Sequence, residues 1–202
     1  MKKEITQKLF LSAIFVVTFT GIVIDIHNNS NGECFLSGLK TFKYFTLQSN
    51  ALIFLFAAVL LFARMPLRLF VAKTATGPLT SYILLTGVVY LIVLEPIYEL
   101  YGLKRISSSL LHYVSPVLML IYWLLFEERK YSYNEFYKWL IFPVTFLIWG
   151  LFRAIVLADY LYPFFDIPAI GCIVVPYIFA VASGFALMSL LLIFVNNKYL
   201  TT

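Results

Sequence analysis

Six long apolar runs are separated by short polar segments along this chain, at 9–26, 45–63, 75–94, 108–126, 136–158 and 170–195. A helix needs about 20 mostly apolar residues to cross a hydrocarbon layer of about 30 Å. The runs are continuously apolar rather than alternating, which favours helices over barrel strands. The pattern therefore predicts an all-α, polytopic membrane protein. Six transmembrane helices in one bundle are expected, with residues 1–202 as a single domain. The connecting segments are too short to hold a separate soluble domain, and no internal repeat is evident. The stretch 64–73 mixes Arg with Leu and Phe and is expected along the inner interface.

Composition strengthens this picture. Hydrophobic residues make up 62% of the chain and charged residues 12%, against about 25% charged in soluble domains. An ordinary soluble enzyme, a nucleic-acid-binding domain and a disordered regulator are excluded on that ground. The net charge of +5 then reports topology rather than an anionic partner. Lys2, Lys3, Lys8, Arg64, Arg68, Lys73, Arg129, Lys130, Lys138 and Lys198 fall on one side of the six runs. Lys40, Lys43, Lys104 and Arg105 fall on the other, and Arg153 lies inside the fifth run. Positive residues favour the cytoplasmic side. Both termini are expected there, in the cell membrane, with 27–44, 95–107 and 159–169 facing outward. The first run follows Met-Lys-Lys but is too long for most signal peptides and lacks a small-residue cleavage site, so it reads as a retained anchor. Cys34 and Cys172 form no C-x-x-C pair and are expected as two outward-facing free thiols.

Polar residues inside membrane spans are costly, so their placement carries functional information. In YFTLQSN, Thr46, Ser49 and Asn50 fall at i, i+3 and i+4, on one helical face. In SSSLLHYVSP, Ser108, His112 and Ser115 fall at i, i+4 and i+7. His112 is the only histidine inside a run; His27 lies at an outer end. Pro116 removes a backbone hydrogen bond and is expected to open the turn before it. Arg153 lies near the outer end of the fifth run, followed by Asp159 and Asp166. Glu95 and Glu99 close the third on the same side. These groups share the outer half of the membrane, while the inner halves read as mostly Leu, Ile, Phe and Val. Such one-sided clustering suits a site open to the outer leaflet better than a conduction path.

A hydroxyl becomes a strong nucleophile when a base takes its proton, and histidine is the usual base. His112 is the candidate base. Thr46, Ser49, Ser108 and Ser115 are all candidate nucleophiles. Asn50, Arg153 and Ser115 are candidates for binding substrate or an oxyanion. Asp25, Glu95, Asp159 and Asp166 are eligible to orient the imidazole. G-x-S-x-G, H-E-x-x-H and P-loop signatures are absent, and neither a metal nor a cofactor is expected.

The segments YFTLQSN, LLHYVSP and YPFFD together resemble a proline-containing six-helix family of bacterial membrane proteins, over nearly the whole chain. They are more thinly similar to the animal androgen-induced family of transmembrane threonine hydrolases, which cleave fatty acid esters of hydroxy fatty acids. That resemblance implies Thr46 as nucleophile and His112 as the essential histidine. It implies an amphiphilic lipid ester as substrate, with membrane lipids as partners. Gln48, Ser49 and Asn50 make the region around Thr46 more polar than in the animal enzymes. The rival expectation is a non-catalytic lipid- or small-molecule-binding protein or transporter. A second polar layer in the cytoplasmic half would mark it.

Overall fold

The computed structural model describes residues 2–30, 32 and 34–200. They are overwhelmingly helical, with no strand among them. Six helices are long and apolar enough to cross a membrane. They are α1 (Lys2–Asn29), α2 (Phe45–Phe62), α3 (Leu67–Leu94), α4 (Gly102–Phe126), α5 (Tyr133–Leu157) and α6 (Ile167–Leu200). The protein is thus an all-α, multi-pass membrane protein. Its outward surface agrees: Phe62, Phe70, Ile92, Ile148 and Phe179 are among many large apolar side chains left exposed, as hydrocarbon requires and water would penalise.

Most helices run beyond their apolar cores. The segment 64–73, expected along the interface, enters α3 at Leu67 and is continuous with it. The helix bearing His112 starts at Gly102 rather than near Ser108. Its added turns present Leu103 and Ile106 outward and bury Ser107 and Ser108. Hydropathy therefore underestimates helix length, because flanking Lys and Arg lower the average without breaking the helix.

The helices form two compact units, one ending at Arg129 and one covering Lys130–Leu200. In the first, α1 packs on α2, α2 on α3, and α3 on α4, which returns to α1. Leu11, Ile14, Ile53, Phe56, Ile83, Leu111, Met119 and Trp123 form its core, each almost fully buried. The Phe56 and Tyr122 rings meet edge to face at 5.8 Å. Gln7 of α1 donates to the Tyr122 hydroxyl at 3.1 Å.

Small residues set the close approaches, as is general where lipid supplies no hydrophobic drive between helices. A side-chain carbon at Gly21 would lie 2.6 Å from Leu111 of α4. One at Gly87 of α3 would lie 2.9 Å from the His112 carbonyl oxygen and 3.3 Å from the Pro116 ring. Between α1 and α2 the chain passes through a 3₁₀ stretch, Phe35–Lys43. There Gly38 sits against α1: a carbon on it would fall 1.9 Å from the Ile26 carbonyl oxygen.

In the second unit α5 packs on α6. It begins at a capping box in which the Ser132 N–H donates to Glu135 at 3.0 Å. Asn197 clamps the backbone of Tyr131, accepting from its N–H at 3.0 Å and donating to its carbonyl at 2.8 Å. Gly150 faces the Phe165 ring so closely that a side-chain carbon would lie 2.6 Å from it.

Gly38→Ala forces a methyl into backbone rather than into a flexible side chain. The expected cost is about 1–3 kcal/mol, the usual penalty for overpacking. A thermal melt of the detergent-solubilised variant should show a lowered midpoint, and an unchanged midpoint contradicts the packing.

Candidate functional site

Thr46 occupies the first turn of α2 and His112 the middle of α4. The threonine hydroxyl lies 3.2 Å from Nε2 of the imidazole. The other ring nitrogen, Nδ1, lies 3.0 Å from the carbonyl oxygen of Ser108 and 3.2 Å from the Ser108 hydroxyl. A carbonyl oxygen only accepts, so Nδ1 carries the proton and donates to it. Nε2 is then the unprotonated nitrogen, and the Thr46 hydroxyl donates to it. Two hydroxyls flank the ring, yet only Thr46 faces the basic nitrogen. The arrangement sets Thr46, rather than Ser108, against the unprotonated nitrogen, a distinction that the residue types alone leave open.

The backbone that holds this ring is a π turn over Leu110–Val114, immediately before Pro116. In that register the Ser115 N–H bonds to the Leu110 carbonyl, five residues back. The next acceptor in the series is the Leu111 carbonyl, and its donor would be Pro116, which has none. Asn50 of α2 supplies the missing hydrogen. Its Nδ2 donates to the Leu111 carbonyl at 3.2 Å and to the Thr46 carbonyl at 2.9 Å. An amide nitrogen has two hydrogens, so both are engaged. Asn50 braces α2 against α4; the oxyanion-donor role considered from its residue type has no free N–H to use. Its Oδ1 is buried without a hydrogen-bond partner among the described residues.

Ser49 lies on the same buried face. Its hydroxyl donates to the Thr46 carbonyl at 3.1 Å and lies 3.5 Å from the Thr86 hydroxyl of α3. Ser115 is fully buried one turn along α4 from Leu111, and its hydroxyl has no hydrogen-bond partner among the described residues. Ile22 and Ile26 of α1 pack with Leu47 and Leu111 in a buried apolar cluster that joins α1, α2 and α4. Thr46 is buried and His112 is part-buried.

The third helix contributes what the sequence pattern missed. Tyr90 opens a π turn, Tyr90–Leu94, at the end of α3. Its ring stacks on His112 with centroids 3.9 Å apart and planes 18° off parallel. Tyr90 is 3% exposed, and its hydroxyl has no hydrogen-bond partner among the described residues. Gly87, one turn earlier, permits the approach. An aromatic residue within an apolar run resembles packing, so its type gave no signal. Nearby, Glu95 receives the Tyr113 hydroxyl and, at 2.7 Å, Arg105. Those hydrogen bonds, Tyr113's first, hold the Glu95 carboxyl below the usual carboxylate range. Glu95 thus ties the end of α3 to α4, and the Ser108 carbonyl holds the Nδ1 side of the imidazole.

Arg153, Asp159 and Asp166 belong to the second unit. Arg153 donates to Asp159 through Nε at 3.0 Å and through Nη2, and its guanidinium lies 5.1 Å from the Trp149 ring. Asp166 accepts the Ala169 N–H at 3.2 Å, capping the short turn it precedes. The half of α3 remote from Tyr90 corrects another expectation. Thr76, Thr80 and Ser81 are buried there, a polar stripe in a half expected to be nearly all Leu, Ile, Phe and Val. Thr76 and Thr80 return their hydroxyls to their own helix at 2.8 Å, which is why a membrane helix tolerates them. Cys34 and Cys172 are exposed and unpaired. Among the described residues no three His, Cys, Asp or Glu side chains gather into a metal-binding group.

The tautomer is directly measurable. In protein labelled with ¹⁵N-histidine, His112 should give the neutral Nδ1–H pattern at pH 7. An Nε2–H pattern contradicts the proton placement and the base role with it. No family model, curated protein or solved structure matches this chain.

Proposed function

We propose that this protein is an intramembrane threonine hydrolase of lipid esters, of the fatty acid ester of hydroxy fatty acid type. It acts from the cell membrane with both termini cytoplasmic and its site near the outer leaflet. The observation that supports this reading is the Thr46 hydroxyl at 3.2 Å from His112 Nε2, with Nδ1 already donating to a carbonyl. That is the geometry a nucleophile and its general base need.

The chemistry follows from the two side chains. Thr46 Oγ1 attacks the ester carbonyl carbon as its proton passes to Nε2. The tetrahedral intermediate collapses, the C–O bond to the leaving alcohol breaks, and the Nε2 proton goes to that alcohol. A water molecule, deprotonated by the same nitrogen, then releases the acid and restores Thr46. The Ser108 carbonyl favours the doubly protonated ring that forms in each half, because it accepts from Nδ1 throughout. The helices present many large apolar side chains to lipid, so the substrate is an amphiphile drawn from the membrane. The scheme uses no residue of the second unit.

The buried Thr76, Thr80 and Ser81 are the feature that favours the rival, a non-catalytic binding protein or transporter. Labelling distinguishes the two. The purified protein should react covalently with a fluorophosphonate at Thr46 and hydrolyse a fatty acid ester of a hydroxy fatty acid. Thr46→Ala should abolish labelling, and His112→Ala should slow it on the order of a hundredfold or more. Ser108→Ala should retain it. An unlabelled wild type, or Thr46→Ala labelled equally, contradicts the hydrolase.

A further inference from the structure

Acyl transfer through Thr46 places negative charge on the former carbonyl oxygen, and a buried site must meet that charge with a donor. The donors near the pair are few. Asn50 has both N–H groups engaged with backbone carbonyls. The Ser108 hydroxyl lies on the Nδ1 side of the ring, opposite the nitrogen that faces Thr46. The imidazole itself handles the transferred proton. Tyr90 remains. Its ring stacks on the imidazole with centroids 3.9 Å apart and planes 18° off parallel, so its hydroxyl is carried in the layer packed against the base.

That hydroxyl is also anomalous in its own right. It is buried and has no hydrogen-bond partner among the described residues. An unsatisfied buried O–H costs about 1–3 kcal/mol, and such exceptions are best explained by a role or by an absent partner. The ring is well anchored without it: it stacks on His112, meets Tyr113 edge-on at 5.8 Å, and is followed by the π turn whose Glu95 N–H returns to the Tyr90 carbonyl. A phenylalanine would fill the same space and leave no orphan. A phenol is worth its cost here only if something arrives to accept its hydrogen.

We propose that Tyr90 is the oxyanion donor of this site, its hydroxyl hydrogen-bonding the carbonyl oxygen of the ester that Thr46 attacks. This rests on the hydrolase reading above and names the group that reading lacks. The proton and bond changes are those already given. As the Thr46 Oγ1–carbon bond forms, the carbonyl π pair moves to oxygen, which accepts the Tyr90 O–H without taking its proton. When the intermediate collapses the pair returns and the leaving alcohol departs.

A fluorophosphonate tests this directly, because phosphonylation of Thr46 expels fluoride and builds charge on the phosphoryl oxygen. Tyr90→Phe keeps the ring and removes only the donor. Its labelling rate should fall on the order of a hundredfold, the usual loss for one oxyanion donor. The His112 ¹⁵N pattern and the thermal midpoint should stay those of wild type. If Tyr90→Phe fails to fold, monofluorotyrosine at position 90 supplies a stronger donor in the same shape and should speed labelling. Wild-type rates in Tyr90→Phe, or in the fluorinated protein, overturn the assignment. So does a comparable loss in Ser115→Ala with none in Tyr90→Phe, which transfers the role to the other buried unpartnered hydroxyl. A wild type that takes no label at all overturns the hydrolase itself, and so is distinguishable from failure at Tyr90 alone.

Discussion

One carbonyl organises the first unit of this protein. In hydrocarbon a backbone oxygen without a donor costs far more than in water. Pro116 leaves the Leu111 oxygen in that condition within the π register of α4. Asn50 answers it from α2, and the same amide ties back to Thr46. The hydrogen bond that repairs α4 therefore also fixes where α2 meets it. Thr46 and His112 face each other because one helix is defective at this point and the other carries the side chain that compensates.

The π turn has a second consequence. Widening the helix at Leu110–Val114 brings the His112 ring back toward the Ser108 carbonyl one turn earlier. That contact fixes the tautomer with a neutral dipole rather than a carboxylate. In a low-dielectric surrounding this avoids burying an unpaired negative charge. The same carbonyl can accept from Nδ1 whether the ring carries one proton or two. Close packing completes the site: Gly87 lets α3 touch the α4 backbone, and Tyr90 one turn later lies on the imidazole.

Much of the architecture was legible in the residues. Hydropathy located all six spans, since twenty apolar residues in succession admit few other solutions. It erred at their ends, as at Gly102 and Leu67, where charged residues continue a helix that the average hydropathy has already abandoned. The face shared by Thr46, Ser49 and Asn50 followed from helical spacing, and all three are buried. Pairing Thr46 with His112 needed the family resemblance as well, because spacing within one helix says nothing about which neighbour it meets. The Ser108 carbonyl was illegible because every residue has one. Tyr90 was illegible because aromatic rings are common in membrane helices. Thr76 and Thr80 were passed over among apolar neighbours, and their hydroxyls turn out to serve their own backbone.

The most direct measurement of the central claim is to quench the protein during turnover of a fatty acid ester of a hydroxy fatty acid and sequence its peptides by mass spectrometry. An acyl group esterified to Thr46, absent when His112 is replaced by alanine, is the expected result. Turnover with no protein-bound acyl group, or an acyl group on Ser108 in place of Thr46, would contradict the account.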